Sequence, residues 1–94
     1  MSESGETNNA ASPLQFPTDY PIKVVGRSER GFRARIDAVV LQYSPELPSE
    51  RISERASGAG NFTSITYTII AESREQVTML VGALVATEGV LMVI

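Results

Sequence analysis

Residues 62–71, FTSITYTIIA, alternate between apolar and hydroxylated side chains over their central part. Ile65, Tyr67, Ile69 and Ala71 share one face of an extended chain, and Ser64, Thr66 and Thr68 share the other. That two-residue period specifies a strand with one face buried and one face open. Such a strand cannot be stable alone: its apolar side needs an opposing layer, and its backbone needs neighbouring strands. The rest of the chain must therefore supply both.

It does so in short, well-punctuated segments. IKVVGRS, residues 22–28, reads as a first strand with Ile22 and Val24 on one face and Lys23 and Val25 on the other. The preceding LQFPTDYP, with two prolines, reads as a lead-in that packs across one edge. Ser28 is a good N-cap residue, and Glu29 suits the positive end of a helix dipole, which predicts a helix over residues 29–43. Phe32, Ile36, Val39, Val40 and Tyr43 form its apolar stripe. The prolines of SPELP end that helix. SERISERAS, residues 49–57, holds Ile52 as its only large apolar residue and fits a charged edge strand. Ser73 followed by Gln76 is a capping box opening a second helix, with Val77, Leu80, Val81 and Leu84 inward and Gly89 ending it. VLMVI closes the sequence as an apolar strand. The order β-α-β-β-α-β predicts an α+β, ferredoxin-like sandwich: a four-stranded antiparallel sheet with both helices on one face. The first and third strands, being the most apolar, belong at its centre.

Composition narrows the chemistry. The 94 residues suit one modest domain, expected over residues 14–94, with residues 1–13 as a polar, flexible tail. There is no Cys and no His, so disulfides, thiolate chemistry, the preferred zinc ligands and the usual neutral-pH base are all missing. No metal or cofactor site is expected, and an enzyme is not. Net charge is −3, and residues 14–94 hold eight basic against nine acidic groups. Such a domain lacks the basic footprint of a nucleic-acid binder. MSESGETNNAASP is too acidic for a secretory signal, and the largely apolar run at residues 77–86 is about half a bilayer span. The expected compartment is the cytoplasm, with no membrane partner.

Three features invite a functional reading. Gly58-Ala59-Gly60 precedes a strand and not a helix, so it is the turn of a hairpin and not a phosphate cradle. GRSERGFR, where the first strand feeds the first helix, has better physics for a ligand: Gly26, Arg27 and Ser28 are the candidate contacts there. Arg33 has acids four residues to either side, Glu29 and Asp37, which predicts surface ion pairs. Finally, Met79, Ala83 and Ala86 on the second helix, with Leu91 and Val93 on the last strand, form a candidate interface for a homodimer or a partner protein.

FPTDYPIKVVG, GNFTSITYTI, EQVTMLVGAL and VLMVI resemble the YbeD-like family of small bacterial proteins. That family shows Phe-Pro before a strand ending in Lys-Val-x-Gly, and a Gly-x-aromatic-x-Ser lead into the third strand. Near the hairpin, where the family often carries Lys, this chain has Ser57-Gly58-Ala59-Gly60. The resemblance spans residues 14–94 and implies a fold similar to ACT regulatory domains, which bind small effectors near the first strand–helix turn. Only Gly26, Arg27 and Ser28 occupy that position. The expected function is a small non-catalytic regulatory or interaction module that senses a small metabolite or binds a partner. Two alternative readings are an acylphosphatase-like hydrolase, from the loose match of GRSERGFR, and an RRM-type RNA-binding module. The first lacks its Asn on the second strand, and the second lacks aromatics among the outward Lys23, Val25, Ser64, Thr66 and Thr68.

Overall fold

A computed structural model of the chain describes residues 15–94; the expected tail, residues 1–13, lies outside the described residues. Strand β1 (Thr18–Arg27) leads into helix α1 (Phe32–Tyr43). A single 3₁₀ turn (Ser49–Arg51) precedes β2 (Ile52–Ser57), and a hairpin joins β2 to β3 (Phe62–Ala71). Helix α2 (Arg74–Val85) and strand β4 (Val90–Val93) complete the order β-α-β-β-α-β. The sheet runs β2-β3-β1-β4, every pair antiparallel, with the two alternating apolar strands at its centre.

Parity decides the layers. Ile22 and Val24 of β1 and Ile65, Tyr67, Ile69 and Ala71 of β3 are buried on one face. They join Phe32, Ile36 and Val40 of α1 and Val77, Leu80 and Leu84 of α2 in a single core. Both helices therefore cover the same side, and among the described residues no helix covers the other side of the sheet. No helix among the described residues is long and apolar enough to cross a membrane.

Four boundaries differ from the sequence expectation, one of them the edge strand, which starts at Ile52 and not at Ser49 because Ser49–Arg51 form a 3₁₀ turn. β1 starts at Thr18, so the lead-in segment is itself ladder, paired from Thr18↔Ala71 onward. Pro21 sits in that ladder without penalty. Lys23 exchanges both backbone hydrogen bonds with Ile94, and alternation points the nitrogen of Pro21 to the same side, beyond the reach of β4. Helix α1 starts at Phe32 and not at Glu29, because Gly31 takes φ +82° as its N-cap. A helix begun at Glu29 would have held that glycine in its first turns. Ser28 is not the cap. Ser73 is: its Oγ accepts the Gln76 N–H at 3.1 Å. Helix α2 ends at Val85, and Gly89, at φ +93°, lies in the turn before β4.

Candidate functional site

The turn between β1 and α1 is closed by its own contacts. Gly26 is buried, and a Cβ there would lie 2.4 Å from Phe32 Cζ and 2.5 Å from the Gly89 carbonyl oxygen. Its lack of a side chain admits the Phe32 ring rather than a ligand. The Ser28 N–H donates to the Asn61 carbonyl at 2.9 Å, and the Ser28 and Thr63 hydroxyls are 2.7 Å apart. Arg27 turns to the open face, its guanidinium 5.7 Å from the centre of the Phe62 ring. The three candidate residues thus point three ways. Arg33, the further element of the acylphosphatase-like reading, is held on α1 away from that turn, between Asp37 and Glu54.

The hairpin is a turn, as its context predicts. Gly58, Ala59 and Gly60 have φ of +59°, +58° and +88°, and the Asn61 N–H closes on the Gly58 carbonyl at 3.1 Å.

A polar network links α1 to the sheet. Asp37 accepts the Tyr67 hydroxyl at 2.7 Å and both bonds from Arg33 Nε at 2.9 Å. Arg33 Nη1 also reaches Glu54 on β2 at 2.8 Å. Glu29, outside the helix, pairs instead with Arg35 at 3.8 Å. Burial, then the Asp37 hydrogen bond and charge, push the Tyr67 phenol above its ordinary value, so it stays protonated and donates. The Glu54 hydrogen bond holds Arg33 above its ordinary value, with burial opposing and Asp37 adding to the effect. Every member of this network has its partner within the fold. Its role is to fasten.

At the opposite end of the sheet a cleft of about 380 Å³ opens between the end of α1, residues 44–48, the end of β3 and the start of α2. Tyr43, Leu47 and Ile70 supply its apolar wall, and Gln76 its floor. Gln76 bridges the helices: Nε2 donates to the Tyr43 carbonyl at 2.7 Å, and Oε1 accepts from the Glu72 N–H at 2.6 Å. The sequence marks this place only through SPELP and the capping box, which read as a stop and a start and not as two walls of one concavity.

The residues expected at an interface differ in their exposure. Met79, Ala86 and Leu91 are exposed, Met79 at 60% and Leu91 at 55%; Val93 is half-buried and packs against the core. Ala83 is half-buried too, on the stripe of Gln76, whose amide bonds α1. Val85, 61% exposed, takes the outward place that the sequence reading gave to Ala83. Phe62 was also missed: its register partner is Arg27, so it lies at the end of the open face and not in the core.

Comparison with known proteins now places the chain. A family model described as protein of unknown function DUF493 matches residues 11–94. The chain belongs to this family. A UPF0250 protein of Janthinobacterium sp. (strain Marseille) is 42% identical over 79 residues, 84% of this chain and 87% of the relative. Another, from Paraburkholderia phytofirmans, is 41% identical over 73 residues, 78% and 82% of the two chains. The resemblance to YbeD-like proteins is thereby upheld. Among solved structures, the ACT domain from GTP pyrophosphokinase of Chlorobium tepidum superposes with a TM-score of 0.64 at 20% identity, over 81% of this chain and 84% of that one. The C-terminal domain of the MgtC protein from Mycobacterium tuberculosis superposes at 0.54 with 19% identity, over 87% and 89%. These two likenesses establish an ACT-like fold for this DUF493 chain.

Proposed function

We propose that this DUF493 chain is a non-catalytic interaction module of the regulatory, ACT-like kind, and that its working surface is the β4 edge, where a second copy docks. One observation carries the reading: the free edge of β4 is apolar and uncharged among the described residues, with Leu91 on it and Val85 of α2 exposed. VLMV contains no charged residue, and Leu91, Met79 and Val85 are each more than half exposed. An unpaired apolar edge is a template for another strand. Two copies of β4 related by a two-fold axis would pair antiparallel and extend the sheet, each presenting the same patch to the other. The absence of Cys and His from the sequence and the internal pairing of Arg33, Asp37 and Tyr67 support a non-catalytic role.

Sedimentation equilibrium over a wide concentration range tests this directly. The expected result is a dimer for the wild type and a monomer for the double variant Leu91→Lys, Val85→Lys, both at exposed positions. A wild type that stays monomeric at high concentration overturns the reading.

A second form of the same module, sensing a small metabolite, is favoured by the 380 Å³ cleft beside Tyr43 and Gln76. A ligand present at 100 times its Kd would raise stability by about 2.7 kcal/mol. A thermal-shift screen of amino acids and common metabolites reads that gain, and a flat response across the screen counts against sensing.

A further inference from the structure

We infer that the helix-free face of the sheet is a second docking surface, and that its partner is an extended acidic peptide segment. The register lays the face out in rows. Ser57, Phe62 and Arg27 lie side by side; then Arg55, Ser64, Val25 and Met92; then Ser53, Thr66, Lys23 and Ile94. These three rows contain three cations, four hydroxyl side chains and no acidic side chain. Lys23, Arg27 and Arg55 are exposed, and none of them makes an ion pair among the described residues.

Charge is segregated across the sheet. Glu54 takes the opposite parity, paired with Ile65 on the helix side, and Asp37, Glu75 and Glu88 belong to the helices and the turn after α2. Asp19 and Glu50 border the open face below these rows, and Asp19 is bonded to Arg51 at 3.1 Å. A module with net charge −3 thus keeps one cationic face.

Spacing selects the ligand's shape. Lys23 and Arg55 stand two strands and one row apart, about 12 Å, and Lys23 and Arg27 four residues apart, about 13 Å. Anchors so spread suit several separate charges rather than one phosphate group. Carboxylates four residues apart on an extended peptide recur at the same interval of about 13 Å, with hydroxyls of Ser64 and Thr66 between. A single-stranded nucleic acid has the charge but not the fit. The only aromatic in these rows, Phe62, is already covered by Arg27, so no ring remains for a base to stack on. The surface uses neither β4's free edge nor the cleft, and it is independent of the dimer.

The test is an ¹⁵N NMR titration of the full chain with three probes: an alternating Glu-Val nonapeptide, a Lys-Val nonapeptide and a short oligo-dT. The Glu-Val peptide is expected to shift the amides of Lys23, Arg55, Ser64 and Thr66, and to bind more weakly as salt rises. Lys23→Glu with Arg55→Glu is expected to weaken it at least about tenfold, while Arg30→Glu with Arg74→Glu, on the helix side, leaves it within about twofold. Lys23→Gln with Arg55→Gln is the fallback where charge reversal disturbs folding, and it predicts the same direction. No shift with the Glu-Val peptide, equal weakening by the helix-side pair, or shifts with the Lys-Val peptide would overturn the assignment. Tighter binding of oligo-dT than of the Glu-Val peptide would overturn it too, giving the face to nucleic acid instead.

Discussion

The two edges of the sheet are built to opposite specifications. β2 carries Ser53, Glu54, Arg55 and Ser57, all exposed, and is fastened to α1 by the Arg33–Glu54 pair. Just before it, Arg51 bonds both Asp19 and the Thr68 carbonyl. β4 has only four residues, none charged, and exposed apolar side chains beside it. A charged edge repels an added strand because pairing would desolvate its side chains, whereas an apolar edge gains by being covered. The difference shows which margin the fold defends and which it leaves open.

Four variants probe that contrast. Gly26→Ala is expected to do most damage, about 3 kcal/mol, since the new methyl group meets the Phe32 ring and the Gly89 carbonyl. The damage belongs to the β4 side: amide exchange should rise in β4 while the β2–β3 hairpin keeps its protection. Equal loss at both edges would mean that the two are not independent.

Tyr67→Phe is expected to cost about 1–2 kcal/mol by removing the hydrogen bond to Asp37. It also has a pH signature. The phenol is held above its ordinary value in the fold, so its stabilisation is complete below pH of about 10 and is lost as pH rises beyond that. Stability from urea melts between pH 8 and 11 should fall above pH about 10 more for the wild type than for Tyr67→Phe. Parallel curves would discard the linkage.

Glu54→Ala, on the defended edge, is expected to cost less than about 1 kcal/mol, because Arg33 and Glu54 are 39% and 42% exposed and solvent screens the pair. A double-mutant cycle with Arg33→Ala measures it. Leu91→Lys, on the open edge, is expected to change monomer stability by no more than about 0.5 kcal/mol while removing the dimer. If it instead unfolds the chain, Leu91 is core and the open edge is misread.

The sheet order and layers were legible because Ile65, Tyr67 and Ile69 alternate and because Val77, Leu80 and Leu84 recur at helical spacing. The charge of SERISERAS announced an edge. The start of α1 was not legible. Ser28 has the chemistry of a cap, but its hydroxyl goes 35 residues along the chain to Thr63, a tertiary choice that no local rule contains. Phe62 shares the parity of Ser64 and Thr66, so its face was legible; its pairing with Arg27 was not, nor was the cleft, where Gln76 meets Tyr43 from 33 residues away. Arg33's reach to Glu54 needed the sheet as well; only its step to Asp37 was local. What escaped was whatever needed two distant segments to meet.

Pro21 carries one more consequence. Along β1, the stretch from Thr18 to Pro21 runs past the last β4 rung at Lys23 and Ile94, so its flank is bare among the described residues. An incoming chain trying to zip there would find one rung missing a donor and stall. Growth of the sheet on this side is thereby steered away from β1 and onto β4 alone, a length of only four residues. On the proposed docking at β4, a single imino acid so placed would limit how far the layer can be lengthened, and would favour a closed pair over an open-ended fibre.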